Sequence, residues 1–194
     1  MEIGATKAVQ DRLKTTKIEE SKGASLVFCW DTHLTKIKGR NVLFIVNASN
    51  RYTIAMTDIE PRNWNYYTMY IRSVIHGVMQ EMGYSEEQIE QYFKMSGDTI
   101  VTKTHGRKSV GGINRMVMDA QYFGKKLEKE AKYQWELSEY LNRDICQPEG
   151  FDAYGYPSEL FKLDMERLGI ATKRKPAKVI DIAQYIENNR GTND

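Results

Sequence analysis

The chain has 194 residues, of which 41% are hydrophobic and 28% are charged, and its formal net charge is +2. These values are typical of a folded protein of about one domain, and they exclude a disordered chain, a membrane-embedded chain and one with a strong overall attraction to nucleic acid. The two cysteines, Cys29 and Cys146, indicate neither a disulfide framework nor a zinc site.

The first third of the chain predicts a short helix followed by strands. Ala5–Lys14 has apolar residues at helical spacing, and Ala24–Trp30 is an apolar strand. Val42–Asn47 is apolar up to its last residue and rich in β-branched side chains, which predicts a central strand covered on both faces. Tyr52–Thr57 alternates between two faces. Because short turns join these strands, an antiparallel meander is expected.

The remainder of the chain predicts mainly helices. One helix begins at Pro61, and a second is opened by a capping box at Ser85. A strand over Thr99–Thr104 precedes a helix from Val110 that extends towards Asn142, with a weak point at Gly124. Beyond it, the sequence predicts an aromatic loop over Phe151–Tyr156 and two further helices, over Ser158–Leu168 and Val179–Asn188.

These elements predict an α+β protein. Residues 1–145 are expected to form the core domain, an antiparallel sheet of four or five strands with helices packed on one face. Residues 146–194 are expected to form the aromatic loop and a C-terminal helical extension.

The segment Thr99–Met118 carries the most informative pattern. It contains four cations and no Asp or Glu, and it runs from a strand through a turn into a helix. A turn that ends at a helix start exposes backbone N–H groups beside the positive end of the helix dipole. The sequence therefore predicts an anion site at this turn.

Residues from two turns are expected to form this anion site. The turn after Val42–Asn47 supplies two of them, and the basic turn supplies the rest; the set is Asn47, Arg51, Lys103, Thr104, Arg107, Lys108 and Ser109. The alternative is that Ser109 only caps the helix while the cations are solvated or neutralised by acidic side chains elsewhere. The pair Gly111-Gly112 near the helix start indicates close approach of another backbone or of a ligand, or a poor helix entry.

No recognisable catalytic motif is present, so the catalytic residues are unknown. Two histidines from separate segments, His33 and His105, are candidates for a general acid and base if they converge, and two surface imidazoles are the alternative. Asp31 is a candidate ion-pair partner of Lys103 if their strands are neighbours. No metal and no cofactor is predicted.

Three segments together resemble an uncharacterised bacterial domain family of unknown function. They are residues 30–34 (WDTHL), 42–52 (VLFIVNASNRY) and 99–114 (TIVTKTHGRKSVGGIN). The family pairs a W-H-x-N-L strand with an N-x-x-N/T-R-Y turn and a T-K-T-x-x-R-S segment, and the resemblance spans about residues 5–120. This chain departs from the family pattern at Asp31, at His33 and through the extra residue Lys108. The resemblance implies no activity, cofactor or substrate.

The leading functional expectation is a non-enzymatic binding module whose basic turn binds the phosphates of RNA or DNA. One alternative is a small nuclease-like or transferase enzyme that uses the same pocket. Another is a protein–protein inhibitor or adaptor in conflict between a host and a mobile element. The N-terminal residues lack a signal-peptide profile and no apolar run has transmembrane length, so a cytoplasmic protein without a membrane partner is expected.

Overall fold

The computed structural model describes residues 1–13 and 16–172. Its centre is a sheet of five strands. They are β1 (Glu2–Ala5), β2 (Cys29–Ile37), β3 (Arg40–Asn47), β4 (Thr53–Thr57) and β5 (Ile100–Thr102). Their order in the sheet is β4-β3-β2-β1-β5. The predicted helix Val179–Asn188 lies outside the described residues.

The sheet is mixed, so the prediction of a purely antiparallel sheet is wrong. Strands β2, β3 and β4 form the expected antiparallel meander, but β1 pairs in parallel with both β2 and β5. The error arose at the N-terminus, where helical spacing over Ala5–Lys14 yields only the short helix α1 (Lys7–Gln10). The residues just before it form β1, which is fully buried along its length. The long segments from β1 to β2 and from β1 to β5 provide the crossovers that parallel pairing requires.

Six further α-helices follow in the part of the chain that the structure describes. They are α2 (Pro61–Asn65), α3 (Tyr67–Glu81), α4 (Glu86–Ser96), α5 (Gly106–Gln121), α6 (Trp135–Asn142) and α7 (Pro157–Arg167). The capping box predicted at Ser85 is present, with the Ser85 backbone N–H donating to Gln88 Oε1 at 2.9 Å. The long helix predicted from Val110 towards Asn142 is divided into α5 and α6, and the predicted weak point Gly124 lies between them.

Helices cover both faces of the sheet, which corrects the prediction that they pack on one face. On the first face, Leu43 and Ile45 of β3 share a hydrophobic core with α3, α4 and α7. On the second face, Phe44 and Val46 of β3 pack with Ile113 of α5 and with α6. The apolar run of β3 therefore does form a central strand covered on both sides, as its composition predicted.

The second face positions the candidate site. Because successive side chains of a strand point to opposite faces, Glu2 of β1 and Asp31 of β2 lie on the side of the sheet that α5 covers. The start of α5 lies against them.

No helix among the described residues is long and apolar enough to span a membrane.

Candidate functional site

A basic groove lies along the first turns of α5. Its volume is about 280 Å³, and its walls include the cations Arg51, Lys108 and Arg115 and the backbone of Gly111 and Gly112. Asn47 and Ser109 also line it, and the loop around Pro148 and Glu149 closes one side. We call this cavity the α5 groove.

A tight turn between β3 and β4 places Arg51 in the α5 groove. The buried side chain of Asn47 builds this turn, because its Oδ1 accepts the backbone N–H groups of Ser49 and Asn50 at 3.0 and 3.3 Å. Arg51 itself adopts a left-handed backbone conformation with φ of 62°. The role of Asn47 is thus to shape the turn, and its Nδ2 group donates to Val27 O at 2.9 Å.

The guanidinium of Arg51 rests on the backbone of α5. It donates to the carbonyl oxygen of Gly112 at 2.8 Å. A Cβ atom at position 112 would lie 2.8 Å from the Arg51 Nε, whereas a Cβ at Gly111 would meet nothing within 4 Å. Gly112 therefore marks the close approach of an arginine side chain, and not of the backbone or ligand that one sequence interpretation expected, while Gly111 marks no such approach.

The cations of the basic turn are exposed and divide between two surfaces. Lys108 lines the α5 groove and donates to Pro148 O at 3.3 Å. Lys103 and Thr104 line a different cavity together with His105. Arg107 is exposed on α5 and lines neither cavity. The structure thus groups Asn47, Arg51, Lys108 and Ser109 and separates them from Lys103 and Thr104.

Carboxylates neutralise few of these cations. Within the described part of the chain, no acidic side chain forms an ion pair with Arg51, Lys103, Arg107 or Lys108. Arg115 pairs with Asp119, one turn along α5, at 3.2 Å. Glu149 is the acidic residue among the groove walls. The α5 groove therefore keeps an excess of positive charge.

A carboxylate of the protein itself occupies the start of α5. The fully buried Asp31 accepts the backbone N–H of His105 at 3.2 Å, the Nδ1 group of His105 at 2.7 Å and the hydroxyl of Ser109. Its expected ion pair with Lys103 is therefore replaced by contacts with His105 and Ser109. The backbone N–H of His105 and the hydroxyl of Ser109 therefore serve an internal anion, and the α5 groove lies beside them.

His105 is held between two acidic residues. Its Nε2 lies 3.1 Å from Glu2 Oε2, and its Nδ1 bonds to Asp31. Burial on its own would lower the pKa of His105, but the hydrogen bond and the negative charge of Asp31, with a contribution from Cys29, outweigh it and raise that pKa to about 10. Burial opposes ionisation of Glu2 as well, yet hydrogen bonds from Ser21, His105 and two backbone N–H groups leave its pKa lowered.

The other histidines have separate contacts. His33 Nδ1 lies 3.2 Å from the hydroxyl of Thr6, and burial lowers the pKa of His33. His76 Nε2 contacts Glu86 at 2.7 Å on the first face. Among the described residues, no hydrogen bond joins the imidazoles of His33 and His105 into an acid–base pair.

Sequence reasoning missed the contribution of Glu2. Glu2 precedes the first element that the sequence predicts, and nothing in the local pattern indicates that an acidic side chain in β1 is buried. The available signal was Asp31, which departs from the family pattern and for which Lys103, not His105, was the expected partner.

The fold and the site define a class of protein: an α+β domain with a mixed sheet, a basic groove along one helix and a buried histidine between two carboxylates. Residues 2–160 match the family described as Domain of unknown function (DUF6933). The chain belongs to this family, which confirms the resemblance to a family of unknown function. No curated protein and no solved structure matches the chain.

Proposed function

We propose that this protein is a binding module whose α5 groove takes phosphate groups of a nucleic acid. The observation that carries the proposal is that Arg51 and Lys108 donate to backbone carbonyl oxygens, and not to carboxylates, at the walls of one cavity. A hydrogen bond to a carbonyl oxygen orients a cationic side chain without cancelling its charge. Both side chains are therefore held in place for a phosphate, and their positive charge remains available.

The backbone of α5 favours the same ligand. A Cβ atom at Gly111 would meet nothing within 4 Å, so the missing side chain there lets a phosphate approach the helix, whereas the Arg51 guanidinium fills that space at Gly112. The exposed Arg107 and Lys103 extend the positive surface beyond the groove. These contacts reach the sugar–phosphate backbone and carry no base recognition. The expected binding is therefore sequence-independent and weakens steeply with salt.

Two contacts weigh against the enzymatic alternatives. Both ring nitrogens of His105 are engaged by carboxylates, which leaves neither free to accept a proton from a substrate. The Ser109 hydroxyl donates to Asp31, so it is not positioned as a nucleophile beside a base.

A protein partner is the second candidate, and exposed aromatic side chains favour it. In the loop before α7, Phe151 is buried, whereas Tyr154 and Tyr156 are 70% and 50% exposed. Tyrosines of this kind are enriched at protein interfaces.

Fluorescence anisotropy with labelled single-stranded RNA and DNA of mixed sequence tests the proposal. We expect binding at low salt with a log–log salt slope of about −0.7 for each phosphate contact. Lys108→Ala should weaken binding and reduce that slope by about one contact.

Lys94→Ala is the matched control, because Lys94 is an exposed helical lysine on α4, which packs on the opposite face of the sheet. Binding that is independent of salt, or that is weakened equally by both substitutions, would contradict the proposal. The second candidate would be favoured if the wild type retains a protein partner, Tyr154→Ser loses that partner, and neither chain binds oligonucleotide.

A further inference from the structure

A second group of side chains lies outside the α5 groove and has the composition of a metal site. Glu2, Cys29 and His105 each offer one donor atom, and these atoms all lie within 4.8 Å of one another. The three residues come from β1, from the start of β2 and from the residue before α5. We call them the Glu2–Cys29–His105 cluster.

The surroundings hold the donors in place. Asp31 accepts a hydrogen bond from Nδ1 of His105 at 2.7 Å, which leaves Nε2 directed towards Glu2. The other carboxylate oxygen of Glu2, Oε1, accepts the backbone N–H groups of Lys22 and Ala24 at 2.7 and 3.3 Å. A carboxylate behind the non-ligating nitrogen of a histidine, and hydrogen bonds behind a ligating carboxylate, are the outer contacts that metal ligands have in proteins.

The cluster is enclosed but reachable. Glu2 and Cys29 are 2% and 0% exposed, so a bound ion would be shielded from bulk water. His105 lines a cavity of about 620 Å³, together with Ser21, Thr102 and Lys103. This cavity is separate from the α5 groove and brings solvent up to His105, the member of the cluster that lines it.

We propose that the Glu2–Cys29–His105 cluster binds Zn²⁺ through the thiolate sulfur, the imidazole Nε2 and the carboxylate oxygen Oε2, with a water molecule from the adjoining cavity as the fourth ligand. One sulfur, one nitrogen and one oxygen donor suit a tetrahedral ion of intermediate softness better than Mg²⁺ or Ca²⁺, which prefer oxygen alone. Asp31 acts here as a positioning residue. In the absence of metal, the ion pair of His105 with Glu2 fills the same space.

Titration of the metal-free full chain with Co²⁺ tests the site, because a thiolate bound to Co²⁺ gives a charge-transfer absorption band. We expect the band to saturate at one equivalent and to disappear when Zn²⁺ displaces the Co²⁺. Cys29→Ser should abolish the band, and Cys146→Ser, which changes the other buried thiol, should leave it intact. Asp31→Asn should keep the band but weaken the affinity by about 10- to 100-fold.

A measurement on the unsubstituted chain covers the case in which Cys29→Ser does not fold. X-ray absorption at the zinc edge should give one sulfur at about 2.3 Å and nitrogen or oxygen neighbours at about 2.0 Å. Absence of the cobalt band from the wild type, its persistence in Cys29→Ser, its loss in Cys146→Ser, or a zinc shell without sulfur would each overturn the proposal.

Discussion

Replacement of Gly4 by alanine tests how tightly β1, Asp31 and His105 are packed. A Cβ atom at position 4 would lie 1.8 Å from Asp31 Oδ1 and 3.0 Å from His105 Nδ1. The carboxylate would have to retreat by more than an ångström. It has no free space for this movement, because Asp31 is fully buried and is hydrogen-bonded to His105 and Ser109.

The expected cost follows from the contact that is lost. Breaking a buried ion pair typically costs about 3–5 kcal/mol, so Gly4→Ala should lower the free energy of unfolding by about 3 kcal/mol or more. For a chain of this size, such a loss lowers Tm by roughly 6–12 °C.

Urea unfolding, followed by tryptophan fluorescence and by circular dichroism, measures this change. The matched control is Gly77→Ala, because position 77 lies inside α3 and a Cβ there meets nothing within 4 Å. That substitution should be neutral or stabilise by up to about 1 kcal/mol. The packing described for Asp31 and His105 is refuted if the two variants unfold at the same urea concentration.

Three further predictions concern other contacts. In the metal-free chain, where His105 pairs with Glu2 and Asp31, the pKa of His105 is raised to about 10 from an ordinary 6.5. Its contribution to stability is therefore complete below pH 6.5 and is lost as pH rises towards 10; urea unfolding across this range should show the decline, and His105→Gln should flatten it. Gly112→Ala should displace the Arg51 guanidinium and weaken oligonucleotide binding in anisotropy several-fold, with Gly77→Ala in α3 as the unaffected control. Asn142→Ala should destabilise by about 2 kcal/mol in urea unfolding, because the buried Thr53 N–H and C=O both lose their partner at 2.8 Å; an unchanged midpoint would contradict this.

The sequence pattern was sufficient to predict those elements whose structure is determined by residues close together in the chain. The apolar run of β3 predicted a strand buried on both sides, and the short turn expected after Val42–Asn47 does reverse the chain into β4. Ser85 predicted the start of α4 through its capping box. In each case, the interactions that form the element lie close together in sequence.

Features that depend on distant partners could not be read from the sequence. Only four residues form β1, and their place in the sheet depends on pairing with β2 and β5, far along the chain. The same pairing brings Glu2 next to His105, which is 103 residues away. No short-range periodicity carries this information.

The candidate site was predicted only in part, because several of its contacts also join residues that are distant in sequence. The basic turn and the turn at Arg51 were expected to form one site, and Arg51 and Lys108 do line the same cavity, the α5 groove. The pattern did not reveal that Asp31 would fill the helix start, or that Lys103 and Thr104 would line another cavity. Whether the groove binds an anion remains a prediction.

A nuclear magnetic resonance titration of the ¹⁵N-labelled chain with a short single-stranded oligonucleotide tests that prediction most directly. Phosphate bound in the α5 groove should shift the backbone amides of Gly111 and Gly112 and the side-chain Nε–H of Arg51, and added salt should reverse these shifts. Shifts confined to α4 and the first face of the sheet, or an unchanged spectrum at low salt, would contradict the account.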